Sequence, residues 1–404
     1  MQETWRWFGP QDRIQLSEIR QTGARGIVNA LHEIPYGEVW TVEAITARKA
    51  LIAEDPALGL EWQVVESLPV HERIKLGDGD LEPLFETYRQ SLRNLAACGI
   101  RTVCYNFMPL LDWTRTELAA PVVGGGTSLR FNMHEYVAFD VFMLEREGAA
   151  DGVAPQTLAR AKAWFEASTP ADRERLLIAI NAGLPGAYAR YDVAGLREIL
   201  GRYAGITRDD VRANYRRFLE AVVPVAEEAG MRLCVHPDDP PRPLFGLPRV
   251  VSNAEDIAFV LDAVPSPANG LTLCSGSLGA NPANDVPAIA ARFADKIHFA
   301  HLRNVAKDAD GSFEEADHLA GDTDMVALVR VLMAEERRRR AEGRADAEIP
   351  MRPDHGHELL SDIGRGTHPG YPVIGRMRGL AELRGVMKAV ATLDSDAAAH
   401  RVPA

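Results

Sequence analysis

Apolar and polar positions along this chain follow two alternating rhythms. Short runs rich in Val, Ile, Leu and aromatic residues recur at residues 5–9 (WRWFG), 26–31 (GIVNAL), 61–68 (EWQVVESL) and 101–107 (RTVCYNF). After a long interval they resume at 232–237 (RLCVHP), 271–276 (LTLCSG), 297–304 (IHFAHLRN) and 349–356 (IPMRPDHG). Brief, nearly continuous apolar runs of this kind are how strands buried on both faces read. Between them the apolar residues shift to helical spacing, as with Leu81, Leu84, Phe85, Tyr88, Leu92 and Leu95, or Val211, Tyr215, Phe218 and Val222. Strand followed by helix predicts parallel strands with helices outside. Eight such units are the number that closes a (β/α)8 TIM barrel. A doubly wound open sheet is the alternative, but no GxGxxG turn follows any of the runs.

The interval of about 112–207 is too long for a simple strand-to-helix connection. It holds VVGGGTSLRFN and the helix-like EYVAFDVFMLEREG and PQTLARAKAWFEAS. We read one TIM-barrel domain over residues 1–404 with a helical insertion after strand four, serving either as a cap over the C-terminal mouth or as a dimerisation element. The basic run at residues 337–340 reads as a solvated face ending the helix before strand eight.

Composition narrows the partners. The chain has 404 residues, with 57 acidic against 45 basic side chains and a net charge of -12. That balance excludes nonspecific attraction to nucleic acid or to an anionic membrane. An anionic ligand would therefore need local cations, from a metal ion or a few arginines. No apolar run of about 18 residues and no charged leader with an apolar core is present, so a cytoplasmic protein is expected. The four cysteines lack CxxC spacing, which points away from a disulfide framework or a zinc ribbon.

In a parallel barrel the chemistry gathers where strands end at the C-terminal mouth. The fifth run ends at His236, the sixth at Cys274, the seventh at His301 and the eighth at Asp354 and His355. Two imidazoles, a thiolate and a carboxylate from four consecutive strands suit a divalent transition metal better than Mg2+ or Ca2+. Each also has a plainer reading: His236 as a loop histidine, Cys274 as a small buried apolar group, His301 as a donor to a carbonyl and Asp354 as a helix cap. Their common level at the strand ends favours the metal. His298, on the opposite face from His301, reads as a donor to a backbone group.

Adjacent residues of a strand face opposite ways. Asp354 is therefore assigned to the metal, and His355, just past the strand, to general acid or base work. His357 reads as a supporting or surface group. Tyr371, in the Pro- and Gly-rich loop THPGYPVIGR, suits proton donation or oxyanion stabilisation and equally well an aromatic plug. Arg303, Asn304 and Arg352 are candidates for a substrate carboxylate, with Arg303 the first choice, and Asn106 for a hydroxyl.

The blocks WRWFGP, GIVNALHEIPYGEVW, VCYNFMPLLDWTRT, CVHPDDPP, LCSGSLG, HFAHLRN, RPDHGHELL and HPGYPVIGRMRGLAELRGV resemble those of bacterial mannonate dehydratases, in the xylose-isomerase-like TIM-barrel superfamily. The resemblance runs from near the N-terminus to about residue 388. It implies a metal-dependent hydro-lyase that converts D-mannonate, a small anionic sugar acid, to 2-dehydro-3-deoxy-D-gluconate and water in hexuronate (glucuronate) breakdown, with Mn2+ or Fe2+ as cofactor. It further implies His236, Cys274, His301 and Asp354 as metal ligands, His355 and Tyr371 as the acid/base pair, and a homodimer. Residues 184–192 (LPGAYARYD) depart from the family's pattern, which bears on substrate preference. A sugar or sugar-acid isomerase or epimerase on the same barrel is the competing enzyme, and a sugar-acid binding protein the competitor from another class.

Overall fold

A computed structural model describes residues 1–183 and 191–399, with side chains through 394. The unusual stretch at 184–192 lies outside the described residues over 184–190. Among the described residues twelve strands run in chain order: β1 (Gln2–Arg6), β2 (Gly26–Asn29), β3 (Glu61–Glu66), β4 (Thr102–Tyr105), β5 (Glu117–Pro121), β6 (Thr127–Phe131), β7 (Arg232–Val235), β8 (Asn269–Cys274), β9 (Ile297–Leu302), β10 (Asn304–Lys307), β11 (Phe313–Ala316) and β12 (Pro350–Pro353). Eight of them close a barrel in the order β1-β12-β9-β8-β7-β4-β3-β2, and every pair in it is parallel. Each of the eight apolar runs supplies one barrel strand.

The barrel holds because most of its strand residues are buried, whichever face they occupy. Every residue of β8 and β9 is buried. Outward residues such as Leu233, Leu271, Ile297, Ala300 and Met351 pack with the helices in the main core. Val28, Val64, Cys104, Cys234 and Phe299 form a separate cluster from five barrel strands, an interior plug between the two mouths. The helices close where expected. Glu82–Ala97 lies against Arg208–Glu228, with the Tyr88 and Phe218 rings edge to face at 5.0 Å. The second helix starts in a capping box, Thr207 with Asp210, that satisfies otherwise orphaned N–H groups.

Two differences from the sequence reading concern the connections. The 112–207 interval is not all helix: β5 and β6 form a hairpin around the VVGGGT turn and join β10 and β11 in a four-stranded antiparallel sheet, ordered β10-β11-β6-β5. Short strands flanking a glycine turn read weakly beside longer helical patterns. The basic run also differs from a uniformly solvated face. Arg339 is buried, pairing with Glu335 at 2.7 Å and donating to the carbonyls of Ala294 and Ile297, while Arg337, Arg338 and Arg340 are exposed.

The N-terminal mouth carries a third difference. Neither ring nitrogen of buried His298 has a hydrogen-bond partner, so it donates to no backbone carbonyl. Its ring lies across Gly270 of β8, where an added Cβ would come within 2.1 Å of His298 Cδ2, so the ring's place requires glycine there. Among the described residues no helix is long and apolar enough to cross a membrane.

Candidate active site

At the C-terminal mouth, the ends of β3, β4, β7 and β12 and the loop around Tyr371 border a pocket with about 370 Å³ of empty space, part of it open to solvent. Its lining includes Glu66, Asn106, Asp112, Trp113, His236, Arg352, Asp354, His355 and Tyr371.

His236 directly follows β7, with its Nδ1 2.7 Å from the Pro237 carbonyl oxygen. That oxygen only accepts, so the hydrogen sits on Nδ1 and Nε2 keeps a lone pair. His236 Nε2 faces His301 Nδ1 at 3.1 Å, and His301 Nε2 is 3.3 Å from the Glu66 carboxylate. With the hydrogen of His301 on Nε2, on the Glu66 side, the lone pairs of His236 Nε2 and His301 Nδ1 oppose each other, with Arg352 Nη2 3.5 Å from Nδ1, and a cation between the two rings relieves that opposition. One ligand atom each from His236, Cys274 and His301 lies within 4.8 Å of the other two. Carboxylate and carbonyl partners on the outer nitrogens are the usual way that metal-binding imidazoles are oriented.

Cys274 ends β8. Ser277 donates to its Sγ from the hydroxyl at 3.0 Å and from the backbone N–H at 3.5 Å. Its thiol is 3.6 Å from Asp354 Oδ2. Asp354, one residue past β12, sits between two guanidinium groups: Arg303 Nε donates to Oδ2 at 2.7 Å, and Arg352 Nη1 is 2.5 Å from Oδ1. Burial by itself would raise its pKa. Arg352 above all, then His355, His301 and Arg303, hold it well below the usual carboxylate range. Glu66 is likewise kept ionised against its burial, first by Arg352, which grips it at 2.8 and 3.1 Å. His236, Cys274 and His301 therefore offer two imidazoles and a thiol, with the ionised Asp354 carboxylate 3.6 Å from that thiol, a mixture that fits a transition-metal ion.

His355 places Nδ1 3.0 Å from Glu315 Oε1 and Nε2 3.9 Å from Asp354 Oδ1. Its ring meets Tyr371 edge to face at 4.9 Å. Tyr371 is buried, and burial pushes its phenol pKa above the ordinary value, although Arg352 works against the rise. The hydroxyl consequently stays protonated at neutral pH.

The structure distributes the remaining sequence candidates unequally. Arg352 and Asn106 line the cavity, Asn106 donating to Asp112 Oδ2 at 3.1 Å. Arg303 does not line it. Its guanidinium is occupied by Asp239 at 2.6 Å, Glu315 at 2.8 and 2.9 Å, and Asp354 at 2.7 Å, so it is spent on the protein's own carboxylates. Asn304 also turns elsewhere, bonding the carbonyls of His318 and Thr323 and the N–H of Thr323. His357 donates to the Glu315 carbonyl at 2.8 Å. Sequence reasoning missed Glu66, Asp239, Arg115 and Glu315. Arg115 links Asp239 at 2.8 Å to Glu315 at 2.9 Å across 124 and 200 residues of chain. Only Glu66, at the end of the apolar stretch WQVVE, offered any signal.

A closed parallel barrel with metal-capable donors and a histidine–tyrosine pair at its C-terminal mouth defines a class, the metal-dependent barrel enzymes. Comparison with known proteins sharpens it. The family model described as D-mannonate dehydratase (UxuA) matches residues 1–396, and the chain belongs to that family. It is 56% identical over 394 residues to a mannonate dehydratase of Chromohalobacter salexigens, covering 97% of this chain and all of that one. With a mannonate dehydratase of Rhizobium meliloti it shares 51% over 393 residues, covering 96% and 97%. The crystal structure of mannonate dehydratase from Streptococcus suis serotype 2 superposes with a TM-score of 0.76 at 34% identity, covering 98% of this chain and 95% of that one.

Proposed function

We propose that this mouth dehydrates D-mannonate to 2-dehydro-3-deoxy-D-gluconate and water, a hydro-lyase reaction, with Mn2+ or Fe2+ held by His236, Cys274, His301 and Asp354. The observation that carries the reading is the cluster of His236, Cys274 and His301 at this mouth, with Asp354 3.6 Å from Cys274 and with His236, Asp354, His355 and Tyr371 lining one cavity, in a chain of this family. A divalent ion held by these residues would supply Lewis acidity, which would ease loss of the otherwise weakly acidic C2 proton.

The protein groups divide the proton work. His355, whose Nδ1 is committed to Glu315, accepts the C2 proton at Nε2. The C2–H electron pair becomes the C2–C3 double bond as the C3–O bond breaks. Tyr371, whose buried hydroxyl is protonated at neutral pH, gives its hydrogen to the departing hydroxyl, which leaves as water. The resulting enol tautomerises to the 2-keto acid. Arg352, at the cavity wall, adds positive charge opposite an anionic substrate, and Asn106 with Asp112 offers hydrogen bonds to sugar hydroxyls. Asp112 and Trp113, at the start of the 112–207 excursion, line this cavity.

The test is purified protein stripped of metal, reconstituted with Mn2+ or Fe2+, and given D-mannonate. We expect metal-dependent formation of a 2-keto-3-deoxy acid, and a Tyr371→Phe variant that retains metal but forms product about 10²-fold more slowly. Absence of product with both ions would sink the reading.

A further inference from the structure

We infer that Glu315 is a positioning residue for this reaction: from a strand outside the barrel, its carboxylate holds His355 in the ring orientation and tautomer that leave Nε2 to exchange a proton with the substrate. The inference rests on the reading of His355 as the proton acceptor.

The need for such a residue follows from where His355 sits. It lies two residues past β12, where Asp354 N–H donates to the Leu302 carbonyl at 3.4 Å and Gly356 N–H to the Gly370 carbonyl at 3.0 Å; these bonds hold the chain but set neither the rotation nor the tautomer of the ring. Glu315, by contrast, is in the middle of β11, where it is opposite Val305 of β10, while its neighbour Glu314 is opposite Arg130 of β6. From that fixed place it holds the 355–357 segment twice. Its Oε1 meets His355 Nδ1 at 3.0 Å, and its backbone carbonyl accepts from His357 Nε2 at 2.8 Å.

The carboxylate is itself held on the other side. Arg303 donates to both of its oxygens and Arg115 donates to Oε1 at 2.9 Å. An ionised carboxylate only accepts, so His355 Nδ1 carries the hydrogen whatever the state of Nε2. Burial alone would raise the Glu315 pKa, but Arg303, then His355 and Arg115, hold it well below the usual range. Arg303 also donates to Asp354, so one guanidinium spans the carboxylate that aims His355 and the carboxylate of the donor set. The sheet formed with the 112–207 excursion thereby reaches into the chemistry through a single side chain.

Three measurements decide it. In ¹⁵N-histidine-labelled wild-type protein loaded with diamagnetic Zn2+, His355 should give the resonances of an Nδ1-protonated ring; an Nε2-only tautomer overturns the inference without recourse to any variant or assay. Glu315→Gln should lower kcat about 10²-fold, with KM within about threefold and metal stoichiometry unchanged. Glu315→Asp keeps the charge for Arg115 and Arg303 but draws the carboxylate back from His355, and should lower kcat in the same way while preserving the thermal transition. In a double-mutant cycle, adding Glu315→Gln to His355→Asn should cost nothing further, because the first acts through the second. Full kcat in both Glu315 variants, or losses that simply multiply, overturns the inference. Failure of wild type to dehydrate D-mannonate would instead strike the proposed function, leaving the tautomer measurement to decide the role of Glu315 in holding the ring.

Discussion

The two mouths of this barrel are built from the same strands and carry similar numbers of charges, yet they use them differently. The C-terminal mouth is a small pocket with about 370 Å³ of empty space, and its charged groups are buried and crowded. The N-terminal mouth opens on a space of about 1480 Å³, lined by Lys49, Glu61, Arg101, Arg232, Asp346 and Glu348 among others. There the charges bind the scaffold: Arg344 grips Asp346 at 2.7 and 2.9 Å, and Arg101 donates to the Ala229 carbonyl at 2.6 Å. At the C-terminal mouth the arginines instead keep Glu66, Asp354 and Glu315 ionised beside imidazoles that face one another. Charge number therefore says little; what separates a site from a scaffold is whether buried charges converge on unshared donor atoms.

Substitutions should split along that line. The largest effect belongs to Cys274→Ala, which removes a donor without leaving a charge unpaired: bound metal, read by elemental analysis, should be lost and turnover should fall on the order of 10⁴-fold. Next comes His355→Asn, for which we expect kcat about 10³-fold lower with metal content intact. Retention of full activity by either variant would break the contrast between the mouths.

At the N-terminal mouth the expected effects are on stability. Burial above all, then Arg232 and Arg339, lowers the His298 pKa to about 3. The unfolded chain protonates this histidine near pH 6.5 whereas the folded one resists, so its neutral burial stabilises fully above about pH 6.5 and is lost as pH falls toward 3. The stability difference between wild type and His298→Leu, followed by urea unfolding, should shift by up to about 4 kcal/mol over that window. Turnover at neutral pH should be unaffected. The smallest effect is that of Arg101→Ala, with kcat and KM unchanged and stability within about 0.5 kcal/mol of wild type.

The same contrast explains what the sequence could disclose. The barrel was legible because parallel strands buried on both faces leave continuous apolar runs, and His236, Cys274, His301 and Asp354 stand out because each interrupts such a run at its end. Glu315 and Arg115 were invisible because their meaning lies in pairings 40 and 200 residues distant. Arg303 looked like a substrate clamp for a related reason: two residues past His301 it is in the right place, and only the fold shows three carboxylates already surrounding it. The β5–β6 hairpin escaped because its partners, β10 and β11, follow the seventh barrel strand far along the chain.

The most direct test of this division places three proteins side by side, wild type, Cys274→Ala and Arg101→Ala, each stripped, offered Mn2+ and given D-mannonate. Wild type and Arg101→Ala should bind the ion and release a 2-keto-3-deoxy acid at the same rate, while Cys274→Ala does neither. Equal product from all three, or none from wild type with either Mn2+ or Fe2+, would contradict the account.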